Sequence, residues 1–230
     1  MYPINNFDGI VEQERNLTGS HVIVLMLIKP SDKNADDYIK HFNYWHYNSR
    51  EYCSIYLLGY SQNFTNDYQD VIKVNGIDNT TFDYSDCCFI EVRDQLKAKL
   101  SNWSYTGEPE IIILQRNAHG SKNILDFSYY NYIDINYGIQ KKYIDSFERF
   151  MERLIVACRQ EVTATEAIDN VTRQRLKPRR ILESALEACP KLPKPIKAIL
   201  GDRIFYKSYN TKEQDLSYTL TSSGEIAFPF

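Results

Sequence analysis

The side chains best suited to chemistry lie just beyond the most apolar runs of the chain. Lys29, Ser31 and Asp32 follow residues 22–28, Tyr60 and Ser61 follow residues 53–58, and Arg116, His119, Ser121 and Lys122 follow residues 110–114. Ammonium, guanidinium and hydroxyl groups gathered on one rim would suit an anionic or nucleotide-like small molecule, because charge-assisted hydrogen bonds to its oxygens are the strong ones. His119 is the best general acid or base among them, since its ring titrates near neutrality and it sits in a loop beside Gly120 and Ser121. No GxSxG elbow marks Ser121 as a nucleophile, and neither GxGxxG nor a Walker glycine loop is present to cradle phosphate. Polar strand-end loops are also what any surface loop of an α/β protein shows.

Three further clusters carry weaker signals. Cys87 and Cys88 fall at a predicted helix N-terminus, where the dipole would lower a thiol pKa, although the adjacent Phe89 and Ile90 favour a core position. His41 and His46 are five residues apart, not the three or four that align two ligands on one helix face, and with 4 His and no clustered Cys no metal or cofactor is expected. Arg173, Arg175, Lys177, Arg179 and Arg180 form a basic patch that could meet nucleic-acid phosphates, but no aromatic residue is interleaved to stack on bases.

The elements that must position these groups are legible from periodicity. The continuous runs at residues 22–28, 53–58 and 110–114 read as strands buried on both faces, the signature of a parallel interior strand. Ala35, Tyr38, Ile39, Phe42 and Trp45 recur at helical spacing and predict a helix of about fourteen residues. Short strands are expected at 71–74 and 80–84, and a helix from Cys87 capped by Asp86. Residues 124–135 read as an edge strand or hairpin arm, and Ile139, Tyr143, Phe147, Phe150, Leu154, Ile155 and Cys158 form one stripe of a single long helix. Beyond residue 160, Pro178 and Pro190 break the chain into short helices, and residues 203–209 and 216–228 read as the arms of a terminal hairpin.

Alternation of this kind predicts an α/β fold with a central, mostly parallel sheet flanked by helices, thioredoxin-like or flavodoxin-like in scale. The division expected is an α/β domain at 1–160 and a helical and hairpin C-terminal extension at 161–230 packed on it. The net charge of −3 gives no global attraction to polyanions, and the longest apolar run is far too short to span a bilayer. The start of the chain lacks a secretory signal and the 5 cysteines are irregularly spaced, so a cytoplasmic location is expected. No complete catalytic constellation can be assembled, whereas 18 Tyr and 11 Phe supply rings suited to half-buried contacts. The expected role is therefore a non-catalytic binding or assembly module that meets a protein partner or a second copy. The alternative is a small hydrolase or transferase acting on an anionic substrate at the rim. The Asn, Ile, Lys and Tyr bias fits a low-GC bacterial or phage gene, with a multi-component system such as phage defence as the setting.

Overall fold

The computed structural model of the chain describes residues 1–17, 21–64, 68–100, 103–117, 124–160, 163–164, 167–168 and 206–210. β1 (Tyr2–Ile4) and α1 (Phe7–Arg15) precede the first apolar run, and α1 starts at Asn6, whose side chain accepts from the Gly9 N–H at 2.8 Å. The run itself is β2 (His21–Leu27). Then come α2 (Ala35–Ile39), α3 (Phe42–Ser49) and β3 (Cys53–Leu58). β4 (Tyr60–Ser61), β5 (Ile72–Asn75) and β6 (Thr81–Tyr84) form a separate antiparallel sheet in the order β4-β6-β5. α4 (Asp86–Lys99), β7 (Glu110–Arg116), β8 (Leu125–Asp134), α5 (Ile135–Gln140), α6 (Phe147–Gln160) and β9 (Tyr206–Asn210) complete the described elements.

The main sheet has the order β1-β3-β2-β7-β8-β9. β1, β3 and β2 run parallel, whereas β7, β8 and β9 join antiparallel, so the sheet is mixed and not mostly parallel. The cause lies in the segment after α4. It doubles back along that helix until the Tyr105 ring meets Phe89 in the first turns of α4, with centroids 5.4 Å apart, and β7 therefore enters the sheet beside the end of β2.

Strand alternation shows which helices cover which face. Along β3, Tyr56 sends its hydroxyl to Glu14 Oε1 on α1 at 2.6 Å, while Cys53, an odd number of residues away, meets Cys158 on α6. α4 joins α1 on the first face, where the Phe7 N–H donates to Gln95 Oε1 at 3.2 Å. α2 and α3 join α6 on the second, where Phe147 packs edge-on against Tyr38 and Trp45 at 4.6 and 5.0 Å.

Several boundaries differ from the sequence reading. The helix after β2 is two helices, because the His41 N–H turns to the Tyr38 carbonyl at 3.1 Å and tightens the ladder there. The long C-terminal stripe is likewise split. Lys142 has φ 59°, its N–H donates to Ile139 O at 3.0 Å and the Tyr143 N–H to Gly138 O at 2.8 Å, the paired bonds of a Schellman end. α4 is capped by Ser85, one residue before Asp86, with its Oγ accepting from the Cys88 N–H at 3.1 Å. β8 is a hairpin arm but not an edge, since β9 pairs along its outer side; the other predicted arm at 216–228 and the helices at 169–205 lie outside the described residues. Among the described residues no helix is long and apolar enough to cross a membrane.

Gly59 joins the two sheets. It has φ +83°, and a Cβ there would lie 2.7 Å from Phe89 Cβ and 2.8 Å from Phe89 Cα. Gly59→Ala combines a left-handed backbone with overpacking and is expected to lower unfolding free energy by about 3 kcal/mol, read from the urea midpoint at unchanged slope.

Candidate functional site

The connections from β2 and β3 leave for opposite faces of the sheet, toward α2 and α4 respectively. Such a divergence opens a crevice beyond the carboxyl ends of two parallel strands, where α/β proteins bind ligands. Five of the predicted rim residues lie here. Lys29 Nζ is 3.0 Å from Asp86 Oδ1 in the first turn of α4 and 5.7 Å from the centre of the Phe89 ring. The Lys29 N–H donates to Asp32 Oδ2 at 3.1 Å, and burial raises the Asp32 carboxyl above its usual range against the pull of Lys29. The Tyr60 hydroxyl donates to Ile28 O at 2.8 Å, Ser61 Oγ donates to Asn63 O at 2.8 Å, and Ser31 is exposed.

The crevice is thus closed by its own polar groups. The N-terminus of α4, the natural anion site, is also taken. Asp70 Oδ2 accepts from the Cys87 N–H at 3.0 Å and Oδ1 accepts from Ser85 Oγ at 2.7 Å, bonds that hold the Asp70 carboxyl below its usual range. The same carboxylate pushes the exposed Cys87 thiol up, and burial pushes Cys88 up to about 11. The dipole-activated thiolate anticipated at this helix start therefore does not form, because an acid brought from the preceding loop occupies the positive end.

Glu110, beside this rim, was read from sequence only as the start of a buried strand. It is fully buried and accepts from Trp103 Nε1 at 3.2 Å, the Thr106 N–H at 2.8 Å, Thr106 Oγ1 at 2.5 Å and the Tyr132 hydroxyl at 3.1 Å. Burial outweighs these four donors and raises its pKa to about 7. A carboxyl opening a run of three isoleucines was the available signal.

The remaining rim residues are not brought together. β7 runs antiparallel to β2, so Arg116 pairs with His21 at the opposite end of the sheet, 2% exposed, with Nη1 donating to Glu14 O at 3.1 Å. His119, Ser121 and Lys122 lie outside the described residues, as do Arg173, Arg175, Lys177, Arg179 and Arg180. His41 faces Glu148 at 3.7 Å and stacks on Trp45. Among the described residues no three His, Cys, Asp or Glu side chains are grouped to hold a metal ion.

An open cleft lies elsewhere, between the α2–α3 junction and the β5–β6 hairpin. It holds about 360 Å³ and is lined chiefly by Lys40, Asn43, Asn75, Asn79, Thr80 and Thr81. Its walls are tied together. Asp78 and Asn79, at φ 55° and 59°, form a tight turn closed by the Thr80 N–H on Ile77 O at 3.0 Å. The Asp78 N–H donates to Asn43 Oδ1 at 2.8 Å, and the Tyr47 hydroxyl donates to Asp78 Oδ1. Sequence reading placed the two strands but not the cleft; the Asp78-Asn79 pair between them was the turn signal.

Comparison with protein-family models, with curated proteins and with solved structures finds no match to this chain.

Glu110 gives the fold a pH dependence. Its pKa rises from 4.5 to about 7 on folding, so between these values the folded protein keeps a proton that the unfolded chain has lost. Stability from this group is full below pH 4.5 and falls as pH rises through 7, by about 3 kcal/mol in all. Glu110→Gln is expected to flatten that slope, seen as a difference in urea midpoints between pH 5 and pH 8 that is smaller than in the parent; equal slopes would count against it.

Proposed function

We propose that the chain is a non-catalytic binding module that engages a protein partner, another subunit or a second copy, within an intracellular multi-component assembly. The observation that carries this reading is the preorganised cleft, whose lining offers amides and hydroxyls but no acid–base pair. Beside it, Tyr44 and Tyr47 lie three residues apart on one face of α3 and are 47% and 43% exposed. Tyrosine supplies rigid contact area at low entropy cost and asparagine supplies adaptable hydrogen bonds, the residue chemistry of protein-recognition loops. Lys40, the one cation of the cleft lining, is already paired with Asp37 at 2.7 Å, so the face recognises an uncharged polar segment.

The alternative, a small enzyme acting on an anionic or nucleotide-like substrate at the sheet end, has one feature in its favour. The Tyr105 hydroxyl is buried without a partner among Asp32, Glu108 and Glu110. Those same acids, with Asp86, outnumber Lys29 and would repel an anion.

Co-expression with proteins encoded beside this gene, followed by mass measurement and hydrogen exchange, tests the proposal. Slowed exchange is expected at residues 43–47 and 75–81 in the complex or self-assembly, and Tyr44→Ala combined with Thr81→Arg is expected to weaken it at least about tenfold. A complex that protects only other surfaces, or turnover of an anionic substrate that Lys29→Ala abolishes, would refute it.

A further inference from the structure

β3 opens with Cys53, and Cys158 lies in the last turn of α6. The two thiols hydrogen-bond to each other across the sheet–helix interface. Independent contacts of their neighbours fix this juxtaposition. The Arg159 guanidinium sits over the Tyr52 ring at 5.0 Å, and its Nη2 donates to Asn48 O at 3.0 Å. Residue 159 is thus held against residue 52 just as 158 is held against 53. Both cysteines are free, at 1% and 6% exposure, and Cys158 is the nearer to solvent. A terminal helical turn opens locally at low free-energy cost, which admits a small oxidant.

We propose that Cys53 and Cys158 are a redox pair that closes to a disulfide between β3 and α6 when the protein meets a hydroperoxide. The Cys158 thiolate attacks one peroxide oxygen, the O–O bond breaks, and the departing hydroxide takes up the thiol proton as water, leaving a sulfenic acid on Cys158. The Cys53 sulfur then attacks the Cys158 sulfur. An S–S bond forms, the S–O bond breaks, and the oxygen leaves with the Cys53 proton as a second water. Two thiols lose two electrons, and one hydrogen peroxide becomes two waters.

Cys53 makes Cys158 competent in two ways. Its S–H donates to the thiolate, stabilising the first deprotonation, and it stands ready as the resolving thiol before the sulfenic acid is oxidised further. Cys87 and Cys88 do not offer this. They are consecutive on a helix, where a disulfide between neighbours cannot meet its Cα separation and dihedral without breaking the helix, and Cys88 Sγ donates to Asn5 O at 3.6 Å. The closed pair would staple α6 to the centre of the fold across a loop of about one hundred residues, a length at which cross-linking removes much unfolded-chain entropy.

The test treats the purified full chain with hydrogen peroxide, blocks residual thiols under denaturing conditions and digests it without reductant. The expected result is a peptide pair joining Cys53 to Cys158, two hydrogens lighter than its parts, with a thermal midpoint several degrees higher that a thiol reductant restores. Cys87→Ser is expected to leave this unchanged. Cys53→Ala is expected to abolish the link and let Cys158 proceed to sulfinic acid, and Cys158→Ser serves the same end should that variant fold poorly. Cross-linking through Cys87, Cys88 or Cys189 in place of this pair would overturn the proposal. So would recovery of Cys53 and Cys158 as blocked thiols after exposed Cys87 has been oxidised.

Discussion

β2 sets the constraint from which the rest of the molecule follows. Every side chain from Val22 to Leu27 is at 1% exposure or less, so both faces of this strand are dry. Burying six such side chains is worth on the order of 10 kcal/mol. That gain survives only if the backbone N–H and C=O groups between them are paired, since each orphan in a dry setting costs about 1–3 kcal/mol. β3 on one edge and β7 on the other supply the bonds, and the two helical layers supply the apolar cover. A strand so enclosed cannot reach solvent except at its ends, which is why chemistry was to be sought there.

The chain uses that end for architecture. Immediately after β3 it turns at Gly59 into the small antiparallel sheet, which lies over the carboxyl ends of β2 and β3. Tyr60 packs on Tyr84 at 4.9 Å and on Phe42 at 6.3 Å, joining the small sheet to α3, and Tyr84 reaches Phe89 at 6.3 Å. Half-exposed ion pairs such as Lys29–Asp86 contribute about 0–1 kcal/mol, whereas each buried tyrosine or phenylalanine contributes several times that. The aromatic layer holds the insertion down, and the ion pair satisfies what the layer would otherwise bury.

Much of the layered fold was legible because it rests on periodicity. Val22–Leu27, Cys53–Leu58 and the isoleucines of β7 are apolar at every position, and such runs can only be interior strands. Strand direction leaves no such mark. Ile111, Ile112 and Ile113 would look the same entering from either end, and what reversed them was the path of residues 103–109, an irregular segment held by the Trp103, Thr106 and Tyr105 side chains. Helix breaks were hidden for a related reason. The stripe through Ile139 and Phe147 stays in phase across Lys142, whose left-handed backbone carries no glycine to announce it. The rim of Lys29, Asp32 and Tyr60 was found from loop position alone, but its closure depends on Asp70 and Asp86, whose partners are set by tertiary contacts.

The same displacement explains why the open cleft lies away from the sheet end. Once the small sheet covers the crevice, its own hairpin tip becomes the projecting surface, and that tip must be held or it would fray like any two-stranded ribbon. Asp78 anchors it by accepting from Tyr47 and donating its N–H to Asn43, both on α3, and Gly76 lets Phe82 and Thr80 pack close, since a Cβ there would come within 2.9 Å of each. Rigidity acquired for stability then serves recognition, because a surface already fixed loses little entropy on binding. The amides of Asn43, Asn75 and Asn79 are displayed on that fixed frame, while the acids and the one lysine at the sheet end are bound to one another. Binding and catalysis make opposite demands on polar groups, one for display and the other for convergence on a reacting atom. Here the groups that converge are sealed, and those that are displayed do not converge.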